Sequence, residues 1–289
     1  MLKILPCLDS DEMAASRKRE LWISRSVAAE LGRTAIEAAA TGSYTRADGK
    51  PVDWSRLVRA ACAAKVSIPP QASLGQQERP RFPETRIQVT NETTLGASRR
   101  FVDDGLRTLA LNFANGVSPG GGFRGGSRAQ EEVLCRSSAL HATLVDDPMY
   151  DEHARRPRPD STDWAIYSPD VPVFRLDDGT PLERPWLLCF LTCAAPVASA
   201  IGEPEAGDLL QRRIQRVLAI ARAYGHTTLV LGAWGCGAFG NDPKRTAESL
   251  RHALEGDFEG AFSDVTFAIT DWSPERRFLG PFRDVFSDE

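Results

Sequence analysis

The sequence predicts a three-layer α/β domain with a mostly parallel or mixed central sheet, preceded by a helical extension. Three observations predict it. From about residue 86 onward, apolar strand-like runs alternate with amphipathic helical segments, the order that builds a sheet with helices on both faces. Two glycine-rich loops, "PGGGFRGG" and "GAWGCGAFG", each leave the end of a predicted strand, where open α/β sheets place their ligand sites. The first 80 residues carry helical spacing and end in a run rich in proline and glutamine, which punctuates the chain. The expected division is a helical N-terminal segment over 1–80, packed on the core, and a larger α/β domain over 81–289.

Residues 12–41 read as one long helix. Leu21, Ile23, Val27, Leu31 and Ile36 recur at roughly helical spacing among Arg, Lys and Glu, and Gly42 suits the stop. A second helix is expected over 54–66. "RIQVTNET" alternates like a strand, "SRRFVDDG" reads as a short helix, and "LRTLALNFAN" is a strand that enters the first glycine loop. A helix follows over about 128–145. "WAIYSPDVPVFR" and "PWLLCFLTCAAPV" read as strands, and "GDLLQRRIQRVLAIARAYG" as an amphipathic helix ended by Gly225. "TTLVLGAWGCGAFG" is a buried strand with the second glycine loop, "DPKRTAESLRHALEG" a helix and "DVTFAIT" the last strand.

Composition narrows the function classes. The 289 residues are 42% hydrophobic and 26% charged, with a net charge of -4, so there is no general basic footprint for stable nucleic-acid binding. No stretch reaches the ~18 apolar residues of a membrane span. The start is too short and too acidic for a signal peptide. Six scattered cysteines in apolar surroundings fit reduced thiols and a cytoplasmic protein. Cys189 and Cys193 lie four apart in a strand-like run, which favours a buried pair over a zinc site.

The loops carry the chemistry. Without Cβ atoms, backbone can approach a ligand closely and present its N–H groups to phosphate oxygens. Neither loop fits the phosphate-loop or dinucleotide fingerprints in context. The stretch "NFANGVSPGGGFRGGSRAQEEV" (112–133) adds two adjacent acids. "SRAQ" has the form of a capping box, with Ser127 as N-cap and Gln130 at N3. Glu131 and Glu132 then fall early in the helix, where neighbours diverge by about 100°, so symmetric sharing of one proton is not expected. Acids here also complement the helix dipole; the bare loop beside them points instead to a sugar or phosphate site.

GGG-x7-QEE preceded by "LNFAN" resembles the signature of the bacterial-type poly(ADP-ribose) glycohydrolases. The resemblance extends through "AQEEVLCRSSAL", "IYSPDVPVFR", "TCAAPV", "GAWGCGAFGNDP" and "VTFAIT". It implies a macrodomain-like three-layer fold with a mixed central sheet and an N-terminal helical extension. It also implies cleavage of ribose–ribose O-glycosidic bonds in poly(ADP-ribose), release of ADP-ribose and a place in the DNA damage response. ADP-ribosylated proteins are the implied partners, with no metal or other cofactor. By the resemblance Glu132 is the catalytic acid, Glu131 holds ribose hydroxyls and Gln130 completes the motif. Gly120, Gly121 and Gly122 admit the ligand, Asn115 contacts ribose and Asn112 braces the loop. Gly235, Cys236, Gly237, Ala238 and Phe239 form the diphosphate loop, with Phe239 against the terminal ribose. Thr94 or Glu92 is the expected adenine-side contact.

Two rival readings share this pocket: a macrodomain reader that binds ADP-ribose without cleaving it, and a hydrolase of mono-ADP-ribose on protein or nucleic acid. The paired acids argue against the reader. The N-terminal helices are expected to cover one apolar face of the sheet, or to close the pocket beyond the distal ribose and so restrict cleavage to chain ends. "HARRPRPD" (153–160) reads as a solvated basic loop, and His141, His153, His226 and His252 as structural or surface residues. Trp234 and Phe123 flank the loops as pocket or core residues.

Overall fold

Eight strands form one twisted sheet in the order β1-β5-β10-β9-β6-β8-β7-β4. The structure is a computed structural model that describes residues 1–75 and 81–287; the expected boundary after residue 80 lies outside the described residues. The chain opens with β1 (Leu2–Ile4), α1 (Asp11–Leu21) and α2 (Arg25–Thr41), then a small hairpin of β2 (Ser43–Thr45) and β3 (Pro51–Asp53). It continues through α3 (Ser55–Ala64), β4 (Val66–Ile68), β5 (Thr85–Thr90), α4 (Thr94–Asp103) and β6 (Thr108–Ala114). After the first glycine loop come α5 (Gln130–Ser137), α6 (Leu140–Leu144) and α7 (Pro148–Ala154), then a long hairpin of β7 (Ala165–Arg175) and β8 (Pro181–Ala194). The last part holds α8 (Ala198–Ile201), α9 (Glu205–Ala223), β9 (Thr228–Leu231), α10 (Pro243–Glu255), β10 (Asp264–Ala268) and α11 (Leu279–Val285). Pairing is parallel from β1 to β8 in sheet order and antiparallel for β8–β7 and β7–β4, which makes the sheet mixed.

The period-two pattern of the central strands divides the core into two layers. Leu109 and Leu111 of β6, with Leu229 and Leu231 of β9, join the layer under α9, α10 and α11. Ala110 and Val230, the intervening residues, join the opposite layer with α3, α5 and α6. Residues 1–75 are thus more than a helical cover. Beside the helices on one face, they supply β1 and β4, the two edge strands of the sheet.

The expected single helix over 12–41 is two helices. Trp22 leaves helical geometry, and the Ser24 side chain accepts from the Val27 N–H to start α2. The buried face of α2 is made of small residues, Ala28, Gly32, Ala35 and Ala38, while Val27 is exposed. The larger apolar residues that suggest the stripe sit beside or away from that face. A Cβ at Gly32 would stand 2.8 Å from the Phe123 carbonyl oxygen, so close approach of α2 to the glycine loop needs this glycine. The helix expected over 128–145 also breaks: Ser138 is extended and the Ala139 N–H donates to Pro172 O of β7. Cys189 and Cys193 are both buried in the core as free thiols. Among the described residues, no helix is long and apolar enough to cross a membrane.

Candidate active site

β6 and β9 end on the same edge of the sheet, so the two glycine loops that follow them meet. Between them lies a chamber of about 390 Å³. Asn115, Gly122, Gln130, Glu131 and Glu132 line one wall; Gly235, Gly237, Ala238 and Phe239 line the other. Phe113, Ala129, Gln130, Ala233 and Gly237 also line a second chamber of about 280 Å³, so the two adjoin. Thr94 and Glu92 belong to the second chamber, together with Leu21, Arg128, Asp177, Trp272 and Phe278.

The expected capping box does not form. α5 begins at Gln130, with Ala129 as an N-cap that contributes no side-chain bond. Gln130 turns to the end of β6 instead: its Oε1 accepts from Phe113 N at 2.9 Å, and its Nε2 donates to Leu111 O at 2.7 Å and Thr94 Oγ1 at 3.1 Å. It fastens α5 to the strand. Glu131 and Glu132 are then the second and third residues of the helix.

The two carboxylates do not diverge as adjacent helical residues are expected to. Cα–Cβ bonds tilt toward a helix N-terminus, and both side chains fold past that end onto the glycine turn. A Cβ at Gly121 would lie 2.5 Å from Glu132 Oε1 and 2.9 Å from Glu131 Oε2, and its backbone sits at φ +57. The two acids nevertheless differ in surroundings. Glu131 accepts from Asn115 N at 2.7 Å and from Asn112 Nδ2 at 3.3 Å. Burial pushes its carboxyl up to about 8, against those hydrogen bonds. Glu132 accepts from Gly122 N at 2.9 Å through Oε1, while its buried Oε2 has no partner among the described residues.

Around the acids, Asn115 Oδ1 accepts from the Val117 and Ser118 N–H groups, which folds the loop and holds Asn115 at the wall. The ring of His153 bridges Gly116 O and Thr162 and steadies the same turn from behind. In the second loop, the N–H groups of Gly235, Gly237, Ala238 and Phe239 have no acceptor among the described residues. Free N–H groups clustered in one loop suit an anion.

Some expected site residues stand elsewhere. Gly120 and Gly121 line neither chamber; Gly121 is the seat of the acids. The Cys236 side chain packs inward, with Sγ 3.6 Å from Thr246 Oγ1, so only its backbone is near the loop surface. Trp234 lines the chamber, whereas Phe123 is core, packed on α2 and His141. The basic loop is largely neutralised by the ion pairs Arg156–Asp160 and Arg158–Glu205. Arg128 and Asp177 reach the second chamber without any signal in their local sequence. Arg128 donates to Ile23 O at 2.6 Å and stacks on Trp22, and Asp177 lies in the β7–β8 turn.

Comparison with known proteins gives one family. Residues 32–176 match the family model of the microbial-type PARG catalytic domain, PARG being poly(ADP-ribose) glycohydrolase. The chain is 40% identical to the solved poly(ADP-ribose) glycohydrolase of Thermomonospora curvata, with a TM-score of 0.85 over 90% of this chain and 99% of that one. The same enzyme bound to the inhibitor ADP-HPD matches at 41% identity and TM-score 0.83, over the same shares. The Deinococcus radiodurans poly(ADP-ribose) glycohydrolase in complex with ADP-ribose matches at 40% identity and TM-score 0.74, over 81% of this chain and 98% of that one. No curated protein matches the chain.

Proposed function

The chain belongs to the microbial-type poly(ADP-ribose) glycohydrolase family, and from that premise we propose how its site works as a hydrolase of poly(ADP-ribose). The substrate is a linear chain of units, and one unit spans the two chambers. Its distal ribose sits against Glu131 and Glu132, its diphosphate against the free N–H groups of the second loop, and its adenosine in the chamber with Thr94 and Glu92. The carboxylates line only the first chamber, which sets this direction.

The buried pair holds a proton at neutral pH, because burial raises Glu131 to about 8. Glu132 passes a proton to the leaving group through its Oε2, which has no partner among the described residues. The bond between the distal ribose C1 and the leaving ribose oxygen breaks, the proton goes to that oxygen, and positive charge develops at C1. Glu132, now a carboxylate, takes a proton from water as the water oxygen bonds to C1. Glu131 holds the ribose hydroxyls. No metal enters this scheme, and the site works in a reducing cytoplasm.

Cleavage from chain ends also follows from this placement. A cover beyond the distal ribose would exclude the polymer that leaves there. Among the described residues, none of 1–75 lines the chamber that holds Phe239, so the expected closure at that end is replaced by one at the other. Leu21 lines the adenosine chamber, and Arg128 ties the following turn to its mouth. A cover there favours a terminal unit, whose adenosine ribose carries no further sugar.

The observation that carries the reading is the convergence of two buried acids on Gly121 beside a loop whose N–H groups have no acceptor among the described residues. Glu132→Gln tests it: the fold and ADP-ribose binding are expected to remain, with polymer hydrolysis reduced about 10²–10⁴-fold or more. Near-wild-type rates in that variant would exclude the assignment.

A further inference from the structure

The Ser127 hydroxyl is released from the capping role that its place in the sequence suggests, because α5 takes Ala129 as its N-cap. The turn before α5 decides where it goes instead. Gly126 is left-handed at φ +78, and a Cβ there would collide with the Arg25 carbonyl oxygen at the start of α2. The loop is thus pressed against that helix at a position only glycine fits. The Gly126 N–H donates to Phe123 O at 3.2 Å, and the N–H groups of Gly125 and Ser127 donate to Gly122 O at 2.9 and 3.1 Å. The chain therefore turns back on itself, and Ser127 stands beside Gly122. A Cβ on Gly122 would run into Ser127 Oγ, with Glu132 Oε1 3.8 Å from the same point. The Gly122 N–H is also the group that donates to Glu132 Oε1. Ser127, Gly122 and Glu132 together form one stretch of the first chamber's wall.

A water that attacks C1 is aimed best when each of its two protons has an acceptor, which leaves a lone pair facing the sugar. Glu132 accepts one proton. The other acceptors on this wall are engaged. Glu131 accepts from Asn115 N and Asn112 Nδ2, Asn115 Oδ1 from the Val117 and Ser118 N–H groups, and Gln130 Oε1 from Phe113 N. The Trp234 indole can only donate. Ser127 Oγ has no hydrogen-bond partner among the described residues, and a hydroxyl oxygen accepts through either of two lone pairs. Ser127 is half-buried, so its own proton can turn to solvent while it accepts.

We propose that Ser127 is a positioning residue for the hydrolytic water: its Oγ accepts one water proton while the Glu132 carboxylate accepts the other, and the water oxygen is thereby aimed at C1 of the distal ribose. This rests on the reading of Glu132 as the acid–base group. In that step the water oxygen bonds to C1, the proton facing Glu132 passes to its carboxylate, and the proton facing Ser127 stays on the new ribose hydroxyl. Ser127 itself neither gains nor loses a proton. A consequence is selectivity between nucleophiles. Methanol has one O–H, so it can engage Glu132 or Ser127 and not both, and the second acceptor favours water over it.

The test is digestion of poly(ADP-ribose) in dilute methanol by the wild type and by Ser127→Ala, with ADP-ribose and its methyl glycoside separated and quantified. Removing the second acceptor is expected to raise the ratio of methyl glycoside to ADP-ribose about fivefold, the worth of one neutral hydrogen bond. The kcat for hydrolysis is expected to fall by a similar factor, with KM unchanged. A packing role for the hydroxyl would slow both nucleophiles alike, so an unchanged ratio overturns the proposal whatever the rate. Absence of methyl glycoside from both proteins overturns it as well, because the chamber would then exclude methanol without help from Ser127. A wild type that releases no ADP-ribose from the polymer overturns the reading of the site itself, whereas an active wild type with an unchanged ratio in Ser127→Ala overturns this inference alone.

Discussion

Gly121 is where the missing side chain matters most. Both carboxylates rest on it, and its backbone is left-handed at φ +57. Gly121→Ala adds a methyl in contact with both acids and a conformation that costs about 1 kcal/mol for an L-residue. The acids must move by a good part of an ångström, and displacement of that size in a catalytic group costs about 10²-fold in rate. A fall in kcat of that order, with a native circular-dichroism spectrum and ADP-ribose still bound, is the expected outcome; an unchanged kcat would mean that the acids do not need this seat. The acids and loops were legible in the sequence because they are contiguous and chemically unusual. Arg128 and Asp177 were not, because each is ordinary in its own stretch and gains meaning only from partners far along the chain, Ile23 and Thr93. Ser127 and Cys236 show the converse: a capping pattern and a loop position were readable, but which way the side chain turns depends on what packs beneath it.

Among the elements, alternating strands and helices were readable from period and glycine punctuation, and the sheet has the mixed layers they imply. The three-residue strands β1, β2, β3 and β4 carry too few residues to show a period, so the part the N-terminal segment plays in the sheet was hidden. The break between α1 and α2 was hidden too, since Ser24 reads equally as a helix-surface residue. That break brings Leu21 to the wall of the second chamber, with Trp22 beside it against Trp272. Trp22 is held there by the Arg128 guanidinium 4.0 Å from its ring and by edge contact with Trp272. If this corner confines cleavage to chain ends, wild-type digestion of long polymer releases ADP-ribose from the first time points. The double variant Leu21→Ala, Trp22→Ala is expected to add mid-length fragments early in the course. Mid-length fragments from the wild type would show an open adenosine end, and an unaltered product ladder in the variant would assign the restriction to other residues.

For the whole molecule, the site leaves a signature in how stability depends on pH. Burial raises Glu131 to about 8 and Asp177 to about 7, from ordinary values of 4.5 and 3.8. The folded state therefore binds protons that the unfolded chain has released, and stability falls as pH rises through the folded values. Burial also lowers His141 and His153 to about 4, from 6.5. There the unfolded chain is the one that binds protons, so stability rises with pH until about 6.5. Below that point the two carboxyls and two imidazoles oppose each other and the dependence is shallow. Between pH 6.5 and 8 the unfolded-chain imidazoles lose only their remaining half proton each, and Glu131 alone should cost roughly 2 kcal/mol. Carboxylates held low by hydrogen bonds, such as Asp271 and Asp160, act only in more acidic solution, and the buried thiols only in more alkaline. For a chain of this size the fall corresponds to a drop in Tm on the order of 5 °C. Glu131→Gln removes the proton that is lost, so its Tm should be nearly flat over the same interval, with only the smaller Asp177 contribution remaining. Thermal unfolding of both proteins at pH 6.5 and 8 measures the difference directly. A wild-type Tm that holds or rises across the interval would mean that Glu131 is already ionised in the folded protein at pH 6.5, and that the proton for catalysis has to come from elsewhere.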